Sequence, residues 1–299
     1  MKDSTIGFLG LGLIGGSIAR AIKARHPDFH ILVYTRRKNP ALETGMSEGI
    51  IDELVYKIDE TLSVCDFIFL CAPVLNNISF LSQLKEIISE RCIITDVGSV
   101  KGNIHKEVTR LGMEKNFIGG HPMAGSEKTG YANSSAELLR NSYYLLTPTN
   151  QTRKENLNRL LTLLSCTESI HLVLEPEKHD DVTAAISHVP HIIAAALVNM
   201  VRVCDDENEY MKSFAAGGFK DITRIASSSA EMWESICLSN KQSISAFLDK
   251  FIQGLRTIQK DINTENSTDI IQFFRDASTY RNSIPDAASA VPEKKEIEQ

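Results

Sequence analysis

At 299 residues the chain is long enough for two ordinary domains, each with a buried core. A formal net charge of -6 argues against nucleic acid or an anionic membrane surface as a partner. The six cysteines (Cys65, Cys71, Cys92, Cys166, Cys204, Cys237) show no CxxC spacing, so they read as reduced thiols of a cytoplasmic protein, not as a disulfide or zinc framework, and no metal site is expected.

The start, Met1-Lys2-Asp3-Ser4, runs straight into a predicted strand and is read as leaving no room for a signal peptide. Short apolar runs then alternate with helical periodicity, the pattern of a parallel sheet. Residues 5–9 are predicted as a strand, followed by glycine punctuation and a helix over about 13–24. Further strands are expected at 31–34 and 67–71, the second stopped by Pro73. A strand at 92–96 precedes Gly98-Ser99, which is expected to open a helix. Strands at 117–118 and 143–146, a helix at 154–165 and a last strand at 170–173 complete this half. Helical patterns take over at 177–203, 209–214, 219–227, 229–238 and 241–262, with one more at 268–280. The most apolar long stretch, 184–201, holds His188, Pro190 and His191 and is read as a buried helix of a soluble domain instead of a membrane span. From Ser283 the tail is rich in Ala, Ser, Pro, Glu and Lys and is expected to be disordered. The division expected is 1–173 for dinucleotide binding, 174–282 for a helical substrate part, and 283–299 for the tail.

Gly10-Leu11-Gly12-Leu13-Ile14-Gly15 is a GxGxxG placed directly between a strand and a helix. The first glycine permits the tight turn, the second lets a pyrophosphate approach, and the third lets helix pack on strand. About twenty residues on, where an acidic residue would receive a ribose 2′-hydroxyl, the chain has Thr35, Arg36 and Arg37. A carboxylate repels a 2′-phosphate, whereas a hydroxyl and guanidinium groups accept one, so NADP is the expected cofactor, with NAD the alternative. The same residues would also suit a solvated basic turn.

His121 stands in Gly119-Gly120-His121-Pro122-Met123-Ala124-Gly125-Ser126-Glu127. Glycines let backbone approach a ligand, and a neutral imidazole can take a hydroxyl proton near pH 7. Alone, the segment equally suits a structural loop with a capping histidine. Ser99 follows the strand that ends at Asp96, where ligands bind in open α/β sheets, and could orient a hydroxyl or His121, or cap a helix. In Ser187-His188-Val189-Pro190-His191, His188 reads as a satisfied core residue and His191 as the better candidate for a cleft. Arg224, after Gly217-Gly218, suits bidentate carboxylate binding, or a surface ion pair with Asp221.

Taken together, GLGLIGGS, TDVGSVKG, GGHPMAGSEKTG, SHVPH and GGFKDITRIA resemble, in that order, the prephenate and arogenate dehydrogenase family of tyrosine biosynthesis, over residues 6–262. The resemblance implies an α/β Rossmann-type N-terminal domain followed by an all-α helical dimerisation domain, and hence a homodimer. It implies oxidative decarboxylation of prephenate to 4-hydroxyphenylpyruvate with NAD(P)+. His121 would then accept the hydroxyl proton, Ser99 would orient substrate and histidine, and Arg224 and His191 would bind substrate. Glu127 resembles the family's gating acid. Leu13 and Ile14 join Gly10, Gly12 and Gly15 in holding the dinucleotide. His191, Glu127 and Lys128 fit the prephenate-using pattern better than the arogenate-using one. After Ile262 too little chain is expected to remain for the regulatory domain that some members carry.

Three rival readings remain. An arogenate dehydrogenase would share every motif. A β-hydroxyacid dehydrogenase typically relies on a catalytic lysine and has no role for the HPMAGSE segment. A non-catalytic NADP-binding sensor would leave His121, His191 and Arg224 without a common purpose.

Overall fold

The computed structural model describes residues 3–125 and 128–285. In chain order the elements are β1 (Thr5–Leu9), α1 (Leu13–Arg25), β2 (His30–Tyr34), α2 (Pro40–Ser47), β3 (Glu53–Val55), β4 (Phe67–Leu70), α3 (Val74–Leu84), β5 (Ile93–Asp96), α4 (Gly102–Leu111), β6 (Phe117–Pro122), β7 (Tyr143–Pro148), α5 (Lys154–Leu164) and β8 (Ile170–Val173). Helices follow: α6 (Pro176–Thr183), α7 (Val189–Cys204), α8 (Tyr210–Ser213), α9 (Gly217–Thr223), α10 (Ala230–Ser239), α11 (Lys241–Asn263) and α12 (Ser267–Ser283).

The eight strands form one sheet in the order β3-β2-β1-β4-β5-β6-β7-β8. Strand order reverses between β1 and β4, the switch point outside whose carboxyl ends such sheets bind ligands. β1 and β4 alternate Ile6 and Phe8, Phe67 and Phe69 toward one buried cluster, with Leu9, Ile68 and Leu70 toward the other. Both faces are covered, which explains the nearly continuous apolar strands. Ile18 and Ile22 of α1 and Leu160 and Leu163 of α5 cover one face. Phe80 and Leu81 of α3 and Ile104 and Val108 of α4 cover the other.

Three features depart from the parallel-sheet expectation. β6 and β7 pair antiparallel, His121 opposite Leu145, so the sheet is mixed. His121 and Pro122 are strand residues, because β6 runs through both glycines to Pro122. The helix after β5 begins at Gly102, three residues beyond Ser99.

Helices α6–α10 belong to the same compact unit as the sheet, which runs to Lys241. The sheet-to-helix change at 173/174 is therefore a change of secondary structure inside that unit. Between α6 and α7 the chain makes a π turn, Ala184–His188. Pro190 explains it: proline has no N–H to give and its ring clashes with the carbonyl four residues back, so the wider turn relieves both.

The run Pro176–Cys204 is long and apolar enough to cross a membrane by length and composition alone. Contrary to the expectation of a buried helix, Ile186 is 63% and Val203 75% exposed, while Ala184, His188, Val189 and Ala194 are buried. Among the described residues this run is covered along one stripe and half-covered beside it, while Ile186, Met200 and Val203 stand exposed. The second unit holds α11 and α12, joined through Glu265 in the left-handed region, with Asn266 capping α12. Phe251, Leu255, Ile262, Phe274 and Tyr280 are exposed along these helices. The expected disordered tail lies, but for its first three residues, outside the described residues.

Candidate active site

Each glycine of the first loop has a distinct local reason. Gly10 has φ +86°, which a side chain would strain. A Cβ on Gly15 would sit 3.0 Å from Cys71 Cβ and Sγ, so helix α1 approaches β4 only because that atom is missing. A Cβ on Gly12 would meet nothing within 4 Å, which leaves this edge of the loop bare. The first bond inside α1 runs from Gly16 N–H to Gly12 O at 2.9 Å, so the N–H groups of Leu13, Ile14 and Gly15 stand beyond it. No acidic residue lies in that first turn. Bare backbone, N–H donors without a partner among the described residues and the positive helix end fit a pyrophosphate.

At the end of β2, Thr35 N–H donates to Val55 O at 3.0 Å, and its hydroxyl donates to Arg37 O at 2.9 Å. Arg36 and Arg37 are exposed and make no ion pair among the described residues. Cationic side chains therefore stand where a carboxylate would exclude a 2′-phosphate.

His121 is positioned by an unusually tight stretch of sheet. A Cβ on Gly120 would lie 2.6 Å from Asp96 O and 3.0 Å from Tyr144 Cε1. Beneath it, Lys101 Nζ donates to Gly120 O at 2.7 Å and pairs with the Asp96 carboxylate. Asp96 also accepts from Gly120 N–H at 3.1 Å and Gly98 N–H at 2.9 Å. Lys101 is 0% exposed, and burial pushes its ammonium below the usual lysine range, against the pull of Asp96. This pair clamps the peptide that carries His121.

Behind His121 stand two residues that motif reading passed over. His121 Nδ1 lies 2.8 Å from His179 Nε2, and His179 Nδ1 lies 2.9 Å from Asp180 Oδ1. The two Asp180 oxygens also accept from Lys101 N–H and Gly102 N–H, each at 2.8 Å. Asp180 thus caps α4 from a different element, so Ser99 is not its cap. Burial raises the Asp180 carboxyl, but hydrogen bonds from His179 and the two backbone N–H groups outweigh it and hold the group below its ordinary value. Burial pushes His121 well below 6.5, with His179, Lys101 and His188 acting in the same direction. His121 is therefore a neutral base across the physiological range.

Ser99 is half-buried in the loop between β5 and α4 and makes no hydrogen bond among the described residues. His191 donates its Nδ1 hydrogen to Ser187 O at 2.8 Å, leaving Nε2 as an acceptor, and its ring stacks on Trp233 at 4.1 Å. His188 is buried, but not fully satisfied as a core residue. Its Nδ1 accepts from Asn240 at 3.2 Å while its buried Nε2 has no partner among the described residues. His188 acts electrostatically on His121 and is acted on by His191, so the three imidazoles belong to one neighbourhood. Arg224 opens the short turn Arg224–Ser227, which packs on α7, the helix of His191. It is exposed and makes no ion pair with Asp221 or another acid among the described residues. Glu127 lies outside the described residues. The structure thus joins His121 to Lys101, Asp96, His179 and Asp180. The one available signal for the missed pair was the dipeptide His179-Asp180 early in a helix.

Two family models match the chain: prephenate dehydrogenase, nucleotide-binding domain, over residues 18–172, and prephenate dehydrogenase, dimerization domain, over 175–276. A prephenate dehydrogenase of Bacillus subtilis (strain 168) is 39% identical over 290 residues, covering 95% of this chain and 77% of that protein. The crystal structure of prephenate dehydrogenase from A. aeolicus, in complex with hydroxyphenyl propionate and NAD+, superimposes with a TM-score of 0.89 at 30% identity, covering 95% of this chain and 99% of that one. Synechocystis arogenate dehydrogenase follows with a TM-score of 0.81 at 28% identity, covering 93% and 99%.

Proposed function

The chain belongs to the prephenate dehydrogenase family, and on that premise we propose that it catalyses the oxidative decarboxylation of prephenate to 4-hydroxyphenylpyruvate. The observation that carries this reading is His121, a neutral imidazole held on β6 over a buried Lys101–Asp96 pair. A bound nicotinamide dinucleotide supplies the hydride acceptor. The chain's own residues do the rest. His121 Nε2 takes the hydroxyl proton as hydride leaves the same ring carbon. The ring carboxylate departs as CO2, the ring becomes aromatic, and the proton returns to the phenolate oxygen. Ser99 orients the hydroxyl, while Arg224 and His191 bind the rest of the substrate, with Glu127 as the acid of a gate.

NADP is the preferred cofactor in this reading, supported by Thr35, Arg36 and Arg37 and by the lack of an acid beside them. Comparing kcat/KM for the two dinucleotides tests it, and equal or better use of NAD refutes it. The enzyme is a cytoplasmic homodimer that binds neither nucleic acid nor membrane. The exposed Val203 and Phe214, each 75% accessible, support a partner surface on the helical part, and light scattering showing a stable monomer would refute the dimer. The division at 173/174 belongs to the same reading, with residues 174–282 serving substrate binding and dimerisation.

Absorbance at 340 nm after mixing protein, NADP+ or NAD+, and prephenate or arogenate tests the reaction. NAD(P)H formation with prephenate is expected. Turnover of arogenate alone would favour the second reading, which the likeness to an arogenate dehydrogenase keeps in view. Cofactor binding with no turnover of either would favour a sensor.

A further inference from the structure

We propose that Asp180 and His179 together set the tautomer of His121, so that its Nε2 lone pair faces the substrate hydroxyl. This rests on the reading above, in which His121 takes the hydroxyl proton. The argument runs along a chain of donors and acceptors from its one unambiguous end. Backbone N–H groups only donate, and those of Lys101 and Gly102 occupy one oxygen each of Asp180 at 2.8 Å. A carboxyl taking two donors in this way is an ionised acceptor, so the hydrogen between Asp180 and His179 is on His179 Nδ1. A neutral imidazole carries one N–H, which leaves His179 Nε2 bare. The ring nitrogen facing it at 2.8 Å, His121 Nδ1, is then the donor, and His121 Nε2 carries no hydrogen.

A charged His179 would reverse the last contact. Its ring is 0% exposed, close to the buried Lys101 ammonium, and burial holds it below the ordinary histidine range despite Asp180. In the reaction His121 becomes a transient imidazolium that keeps its Nδ1–H on His179, then returns the Nε2 proton to the phenolate. His179 and Asp180 exchange no proton: they are positioning residues. The carboxylate is itself immobilised by the first two N–H groups at the start of α4, so the tautomer is tied to the packing of α6 on α4.

The test is 15N NMR of histidine-labelled enzyme without substrate, with the His121 signals identified by their loss in His121→Asn. Wild type is expected to show a protonated Nδ1 and a bare Nε2 at His121. His179→Leu is expected to lose that signature and to lower kcat about 10²–10³-fold with little change in KM. His179→Gln, whose amide oxygen can accept from His121, is expected to stay within about tenfold of wild type. A proton on Nε2 of wild-type His121, or a His179→Leu enzyme with unchanged kcat, overturns the inference. If His179→Leu does not fold, the wild-type spectrum still decides. Failure of wild type to turn over prephenate would sink the functional reading alone, because the tautomer is read without substrate.

Discussion

Replacing Lys101 by methionine isolates the contribution of the buried pair beneath His121. The methionine fills much the same volume but removes the partner of Asp96 and the donor to Gly120 O. Among the described residues Asp96 then keeps Gly98 N–H and Gly120 N–H, and it is 1% exposed. Stranding a buried charge costs about 3–5 kcal/mol, a large share of the roughly 5–15 kcal/mol that holds a domain folded. Urea unfolding followed by far-UV circular dichroism should show the midpoint falling by about 1 M or more, at a slope of about 3 kcal/mol per M. The double variant Asp96→Asn with Lys101→Met should recover part of the loss, since the stranded charge is gone. Turnover of Lys101→Met should drop at least about tenfold, because the peptide carrying His121 loses its brace. A stability loss under about 1 kcal/mol with unchanged kcat would refute the clamp.

The acid side of stability is set by buried histidines. His188 is 1% exposed, and burial lowers it from 6.5 to about 4, against the pull of Asp180. Between those values the unfolded chain binds a proton that the native state refuses, so stability falls as pH drops from 6.5 toward 4, by about 3 kcal/mol for this group. His105, lowered to about 4 by burial and Lys101, adds in the same direction. Urea midpoints that do not move between pH 7 and pH 4.5 would contradict this. Gly120→Ala should lower both stability and kcat, because its Cβ would meet Asp96 O at 2.6 Å and must push β6 away from β5; wild-type behaviour in both assays would count against the squeeze. Gly15→Val should weaken dinucleotide affinity, measured by fluorescence titration, by at least about tenfold, since even a Cβ meets Cys71 at 3.0 Å. His121→Asn should fold and bind dinucleotide yet lose most of kcat, and near-normal turnover would remove His121 from its role.

The glycine loop was legible because its physics is local. Gly10 at φ +86° and the bare edge at Gly12 follow from a strand–turn–helix that a dozen consecutive residues define, whereas the contact of Gly15 with Cys71 needs β4 beside β1. His121 was legible as a residue but not as a strand residue. Two glycines and a proline carry turn preferences, and pairing with β7, together with the bonds of Lys101 and Asp96 to Gly120, holds Gly119, Gly120, His121 and Pro122 extended. Propensity lost there to the sheet's hydrogen bonds. The helix start after β5 was placed too early for a related reason. Ser99 has the chemistry of a cap, but the acceptor that satisfies α4 is Asp180, 79 residues beyond Lys101. No local pattern announces a cap delivered from another element.

By itself the sequence determined the alternation of strands and helices, the dinucleotide loop, the order of motifs and the identity of the central histidine. Those depend on periodicity and on residues close together in the chain. Only the tertiary structure decided what surrounds that histidine. The Lys101–Asp96 clamp and the His179–Asp180 pair arise where β5, β6, α4 and α6 converge, and His188 is brought near them by the π turn that follows α6. An imidazole's protonation and tautomer are set by the burial and donors around it. Those neighbours reach His121 through folding, not through adjacency in the chain.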